Sequence, residues 1–417
     1  MISYTTFTLD NGLRVVHHYT DVTPMAAVSL VVDAGAADEL PDKTGLAHLI
    51  EHMMFGGSKN VPEFDSALER AGGVNNAWTS NDLTCYYDYL PVVNIETALW
   101  AESDRLMSPL FSEETFETQR KVVIEEFKQQ CLNQPYGDAD HLLRDLMFKV
   151  HPYRYPTIGK EIAHLEKMTR ADVWEFFNRR YTPSNAVLSV VGAVGKEKMR
   201  RLAEKWFGAI PNKPTIGRNL PEEPPVADGP RRLTVERSVP QVKISIAYQM
   251  GGRKSADYIP CDLITDVLAL GMSSRFEQRL IGGGDDLFTS ANAFIYGSRD
   301  KGLLILTGSL LRGSDSDIAE AERRLRAEAR DIAENGIKLR ELTSVKNNVE
   351  STFVAGTLDI KDLSLKLGES VVRGEDYNGQ LERYRAVTLD DIQQTARRIF
   401  RTENSGTLVI RPTNQTV

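Results

Sequence analysis

Residues near the ends of the two halves of this chain recur at one spacing. Thr169 and Thr388, Asp172 and Asp391, Arg179 and Arg398, and Asn185 and Asn404 are each separated by the same interval (388 − 169 = 219). They lie in "MTRADVWEFFNRRYTPSNAVLSVVG" and "VTLDDIQQTARRIFRTENSGTLVIRP". Each stretch reads as a Thr N-cap, an amphipathic helix, a turn and an alternating strand. Many unrelated units share that outline, but four identities at one offset favour duplication. The openings agree: "AAVSLVVDAGAADE" and "VKISIAYQMGGRKSADY" are each a β-rich run, a glycine turn and a polar loop before a helix.

Length fits this reading, because 417 residues exceed one ordinary compact domain. Between the halves lies "NKPTIGRNLPEEPPVADGPRR", with five prolines and few apolar residues, which should be extended and exposed. The expected division is therefore a first domain 1–211, a linker 212–232 and a second domain 233–417. Helices are expected at Phe64–Ala71, Ile95–Ser108, Ser112–Gln130, Asp138–Val150, Ile318–Asn335 and Leu339–Ala355. Strands are expected at Arg14–His18, Ala27–Val32, Leu83–Tyr89, Leu188–Val191, Lys243–Tyr248 and Leu303–Gly308. Strand and helix groups alternate irregularly, so each half is expected to be α+β.

The bulk composition excludes several classes. Hydrophobic residues make up 41% and charged residues 26%, the profile of a globular protein. Net charge is −8, with no basic stripe to neutralise phosphates, so no nucleic-acid partner is expected. Cys85, Cys131 and Cys261 form neither a disulfide framework nor a Cys-type zinc site. They read as buried thiols in a reducing compartment. No apolar run of eighteen residues is present, so no membrane span is expected. "MISYTTFTLDNGLRVV" has no basic, apolar leader pattern, and a cytoplasmic location is the expectation.

The chemistry concentrates in "GLAHLIEHMMFGGSKN", Gly45 to Asn60. Gly45 to Phe55 should be helical, with Leu46, Leu49, Ile50, Met53 and Met54 as an apolar stripe. His48 and His52 are one turn apart on another side, so two imidazoles can reach one ion. Two such histidines could instead be packing residues. Glu51 between them makes His-x-x-Glu-His, the inverted form of the zinc-protease motif. A non-ligating carboxylate there can take the proton of metal-bound water. A third protein ligand is required. In "FETQRKVVIEEFKQQ", Phe116, Val123 and Phe127 mark the buried stripe. Glu126 lies on its edge, whereas Glu125 shares a side with Lys121 and Thr118; Glu126 is the choice and Glu125 the fallback.

With these residues the sequence resembles the M16 metallopeptidases, the family of pitrilysin, insulin-degrading enzyme and mitochondrial processing peptidase. "LDNGLRVV", "GLAHLIEHMMFGGS", "GGVNNAWTSNDLTCYY", "RKVVIEEF" and "HPYRYPTIG" all match family stretches, and that alignment also selects Glu126. The resemblance implies half of a clamshell, built of two similar α+β domains with mostly antiparallel sheets. It implies one zinc ion per chain and hydrolysis of enclosed peptides. Asn76, Ala77 and Thr79 match the family's substrate-binding edge strand.

Two positions depart from the family pattern. Gln119 stands where a glutamate is common. In "GMSSRFEQRLIGGGDDLFTS", Arg275 matches a substrate-binding arginine, but the expected tyrosine position falls on Phe288 or Thr289. Phe288 then reads as core, and Gly282–Gly284 as a flexible loop. The implied partner is a related chain supplying Arg and Tyr in a heterodimer, with a homodimer as the other arrangement. The competing expectation is a non-catalytic peptide-binding or scaffold subunit.

Overall fold

The computed structural model describes residues 1–214, 217–226, 228–282 and 287–413. Eleven strands form two sheets among them. The first holds β1 (Thr5–Thr8), β2 (Arg14–Tyr19), β3 (Met25–Val32), β4 (Val74–Thr79), β5 (Thr84–Pro91) and β6 (Ala186–Gly192), in the order β1-β2-β6-β3-β5-β4. The second holds β7 (Arg231–Arg237), β8 (Val242–Met250), β9 (Phe288–Tyr296), β10 (Gly302–Leu310) and β11 (Ser405–Pro412), in the order β7-β11-β8-β10-β9. Without β1, the two orders agree strand for strand. One pair in each sheet is parallel, β2 with β6 and β7 with β11, and the others are antiparallel. The fold is α+β with two similar, mostly antiparallel sheets.

The repeated residues do the same work twice. Thr169 and Asp172 form a reciprocal cap on the helix Arg170–Arg180; Thr388 and Asp391 do so on Leu389–Ile399. Asn185 Nδ2 donates to the carbonyls of Arg180 (2.8 Å) and Asp33 (2.9 Å). Asn404 Nδ2 donates to those of Ile399 (3.0 Å) and Gln249 (2.9 Å). In both units one amide ties a helix C-terminal carbonyl to a carbonyl distant in sequence.

The compact units depart from the expected division. One comprises Met1–Phe127, Tyr155–Leu220 and Thr352–Gln380; the other comprises Lys128–Arg154, Pro221–Ser351 and the chain from Leu381. The helix Ile360–Arg373 thus covers the first sheet although it follows all but one strand of the second. Its Ile360, Leu363 and Leu367 pack with Val16, Ala27, Val31 and Val187. Gly368 allows the close approach, since a Cβ there would lie 2.6 Å from Val31 Cγ2. Ser364 Oγ donates to the Ser189 carbonyl (3.1 Å) and lies 2.8 Å from Ser29 Oγ. Amphipathic patterning shows that such a helix has an apolar face, but not which sheet receives it.

Among its described residues the proline-rich segment forms no helix and enters a strand only at Arg231 and Arg232, the start of β7, yet it is not exposed throughout. In the first unit Arg218 is paired with Asp33 (3.1 Å) and Asp38 (2.6 Å). In the second, Glu223 is buried and accepts backbone N–H bonds from Lys149 (2.7 Å), Val150 (2.9 Å) and His151 (2.9 Å). Prolines set the backbone, while these two charges anchor it. Positions 215, 216 and 227 of that segment, and 283–284 of the expected Gly282–Gly284 loop, lie outside the described residues.

Candidate metal centre

The histidine helix runs Leu46–Met53. It is entered through Gly45, whose φ of 93° disfavours any other residue. Its first turn is held from outside by Glu39, which accepts N–H bonds from Gly45 at Oε2 (2.9 Å) and Ala47 at Oε1 (2.8 Å). A carboxylate at that end also suits the helix dipole. Burial works the other way and pushes the Glu39 carboxyl up to about 8. Leu46, Leu49, Ile50 and Met53 are buried, as their spacing predicts.

His48 and His52 meet edge to face, with ring centroids 4.7 Å apart. Opposite them, the helix Glu113–Phe127 buries Phe116, Val123 and Phe127. Glu126 Oε2 lies 3.8 Å from His48 Nε2 and 3.5 Å from His52 Nε2. One ligand atom from each of the three fits within 4.8 Å, the only such group of His, Cys, Asp or Glu among the described residues. Ligand bonds of roughly 2.0–2.2 Å in tetrahedral geometry place nitrogen and oxygen ligands roughly 3.5 Å apart, so the donors fit a zinc ion. Glu125 faces solvent.

Burial, and then the neighbouring His52, push the His48 imidazole down to about 4, which favours the neutral ligand form. Burial opposes charge on His52 too, but the bond to Glu126, the charges of Glu126 and Glu51, and a bond to Gln119 raise it overall. Gln119 therefore still contacts the site. Glu51 is 8% exposed, and burial raises its carboxyl. The Thr79 hydroxyl donates to Glu51 Oε2 at 2.5 Å.

Thr79 ends β4, which pairs only with β5 and forms the edge of the first sheet. Ala77 turns its N–H to Asn76 Oδ1 (2.8 Å), so a side chain covers this edge donor. In β9, the edge strand of the second sheet, Ala293 N–H does the same to Asn292 Oδ1 (2.8 Å). Arg275 is placed otherwise than expected. It belongs to the second unit and is 6% exposed, bound to Glu341 (2.7 Å), Asp331 (2.9 Å) and the Gly336 carbonyl (3.2 Å). A buried guanidinium held by two carboxylates is a structural ion-pair centre, and these are the contacts the structure shows for it. Phe288 is in the second core, as expected, and Thr289 donates to Gln241 Oε1 (3.0 Å). Glu39, Arg218 and the Thr79–Glu51 bond were not foreseen from the sequence, where each residue looks like an ordinary surface or strand residue.

The sequence matches the family described as "Insulinase (Peptidase family M16)" over residues 14–161 and "Peptidase M16 inactive domain" over 167–349. The chain belongs to peptidase family M16. Among its relatives is "Zinc protease PqqE" of Helicobacter pylori, 26% identical over 418 residues, covering 97% of this chain and 92% of that protein. A protease from Helicobacter pylori of solved structure superimposes with a TM-score of 0.92 at 25% identity, covering 99% of this chain and all of the other. The periplasmic protease PqqL of Escherichia coli shares the fold, with a TM-score of 0.80 at 19% identity. That match covers 99% of this chain but 48% of PqqL.

Proposed function

We propose that this M16 member is a zinc-dependent endopeptidase acting on small or unfolded peptides. One zinc ion per chain is held by His48, His52 and Glu126. The meeting of these three donors from two separate helices is the observation that carries this reading. The ion supplies an acidified, polarised water when bound. Glu51 is the proton carrier beside it: Oε2 is taken by Thr79, and Oε1 accepts a proton and returns it to the leaving amine. The open edge of β4 takes an extended peptide by strand addition, with a peptide carbonyl replacing Asn76 Oδ1 at the Ala77 N–H.

Glu51→Gln should lower peptide hydrolysis at least about a thousandfold while zinc content by metal analysis stays near one per chain. Cleavage at the original rate sinks the assignment. A purified chain without zinc, binding peptides intact, would instead support a non-catalytic peptide-binding subunit.

The chain is half the length of PqqL, which suits one half of a chamber closed by a second copy or a related chain. The side chains of Arg275 and Phe288 are engaged within the second unit, which favours a heterodimer whose partner supplies Arg and Tyr. Full peptidase activity of the chain purified alone as a homodimer would overturn that assignment.

A further inference from the structure

We propose that the Thr79 hydroxyl is a positioning group for Glu51, holding the carboxylate at one angle and tying it to the strand that receives the peptide. This rests on the peptidase reading above. A glutamate has three side-chain torsions, so helix placement alone leaves its carboxylate several orientations. Among the described residues, Thr79 Oγ1 is the one hydrogen-bond donor to the Glu51 carboxylate. A β-branched threonine is itself restricted at χ1, so it transmits the backbone's position to its hydroxyl.

The surrounding backbone fixes both partners from one short segment. Thr79 pairs with Thr84 in the last rung of the β4–β5 ladder. The turn beyond is closed by Ser80 N–H to the Leu83 carbonyl (2.8 Å) and Leu83 N–H to Ser80 Oγ (3.0 Å). Ala36 and Ala37 donate to the carbonyls of Ser80 (3.1 Å) and Asn81 (2.8 Å), and Arg218 donates to that of Asp82 (2.6 Å). Thr84 Oγ1 donates to the Ala34 carbonyl (3.0 Å). Gly35 permits this approach, since a Cβ there would come within 2.5 Å of the Ser80 carbonyl oxygen. Four residues later Glu39 holds the start of the helix bearing Glu51. Donor and acceptor therefore hang from one piece of chain, residues 34–39. A peptide ordering the edge of β4 also orders Thr79, and through it Glu51.

Thr79→Val keeps the shape and removes the hydroxyl; Thr79→Ser keeps the hydroxyl. On the full chain with zinc, Thr79→Val should lower kcat about ten- to a hundredfold with KM and zinc content unchanged, and Thr79→Ser should recover most of the rate. Unchanged kcat in Thr79→Val, or a raised KM alone, overturns the proposal; the second would assign Thr79 to substrate contact. A second measurement does not involve turnover. In metal-free protein, Thr79→Val should lower the unfolding temperature in the parent chain but not in a Glu51→Ala background. Equal shifts in both backgrounds overturn the proposal. Failure of the peptidase reading shows separately, as unaltered hydrolysis in Glu51→Gln, and leaves this thermal coupling measurable.

Discussion

Arg105 is fully buried, with Glu102 as its ion-pair partner and its guanidinium 3.7 Å from the centroid of the Phe64 ring. In sequence, Glu102-Ser103-Asp104-Arg105 has the polarity of a wet helix face, yet all four residues are buried. In the second unit two half-buried acids share one helix. Asp262 and Asp266 are one turn apart on the helix Tyr258–Ala269, and Asp262 accepts the Tyr384 hydroxyl (2.6 Å). Burial, and then the charge of Asp262, push the Asp266 carboxyl up to about 7. A folded pKa above the unfolded value means the native state holds the proton more tightly, so its contribution is full below about pH 4. That contribution is lost as pH rises through about 7. Asp266→Asn should therefore raise the unfolding temperature by a few degrees at pH 8 and leave it nearly unchanged at about pH 4. Thermal melts at the two pH values check this, and a pH-independent difference would refute it. Residue type alone cannot report such a shift, because it depends on which side chains fold over the carboxyl.

At the scale of elements, long periodic segments were legible. The helices expected at Phe64–Ala71, Ile95–Ser108 and Asp138–Val150 form as Phe64–Arg70, Ile95–Met107 and Ala139–Met147. All six expected strands form, five of them inside β2, β3, β6, β8 and β10 and Leu83–Tyr89 as β5, which starts one residue later at Thr84. Strands β1, β7 and β9 were not assigned, since each lies at a sheet edge and its apolar signal is halved. The helix Ile360–Arg373 was not assigned either, although its partner surface supplies a sharp test. Gly368→Ala would set a methyl group 2.6 Å from Val31 Cγ2 and 3.3 Å from Ser189 Cβ. Overpacking of about 1–3 kcal/mol exceeds the roughly 1 kcal/mol gained from helix propensity, so net destabilisation is expected. A lowered urea midpoint with unchanged slope would show it; a raised midpoint would mean this interface yields easily.

For the whole molecule, the two sheets repeat one strand order, but the helix covering part of the first sheet is encoded after residue 352. A fragment 1–211 ends at the proline-rich segment, where sequence composition would cut. It leaves Val16, Ala27, Val31 and Val187 without Leu363 and Leu367. That fragment should aggregate or melt without a cooperative transition, as scanning calorimetry would read; a sharp reversible transition would restore the simple linker-based division.

The zinc motif and the duplication needed no coordinates. Helical periodicity brings His48 and His52 together within one turn, and a constant offset survives in the sequence however the halves fold. Glu126 lies beside the two histidines because the buried stripe of its helix leaves it on the edge of that stripe, as the pattern in the sequence indicates. Tertiary packing alone decided the rest. It drew Arg275 into ion pairs, pinned Arg218 and Glu223, and set Thr79 against Glu51. Those outcomes turn on which donor and acceptor remain unpaired once distant segments exclude water, and no local pattern in the chain records that.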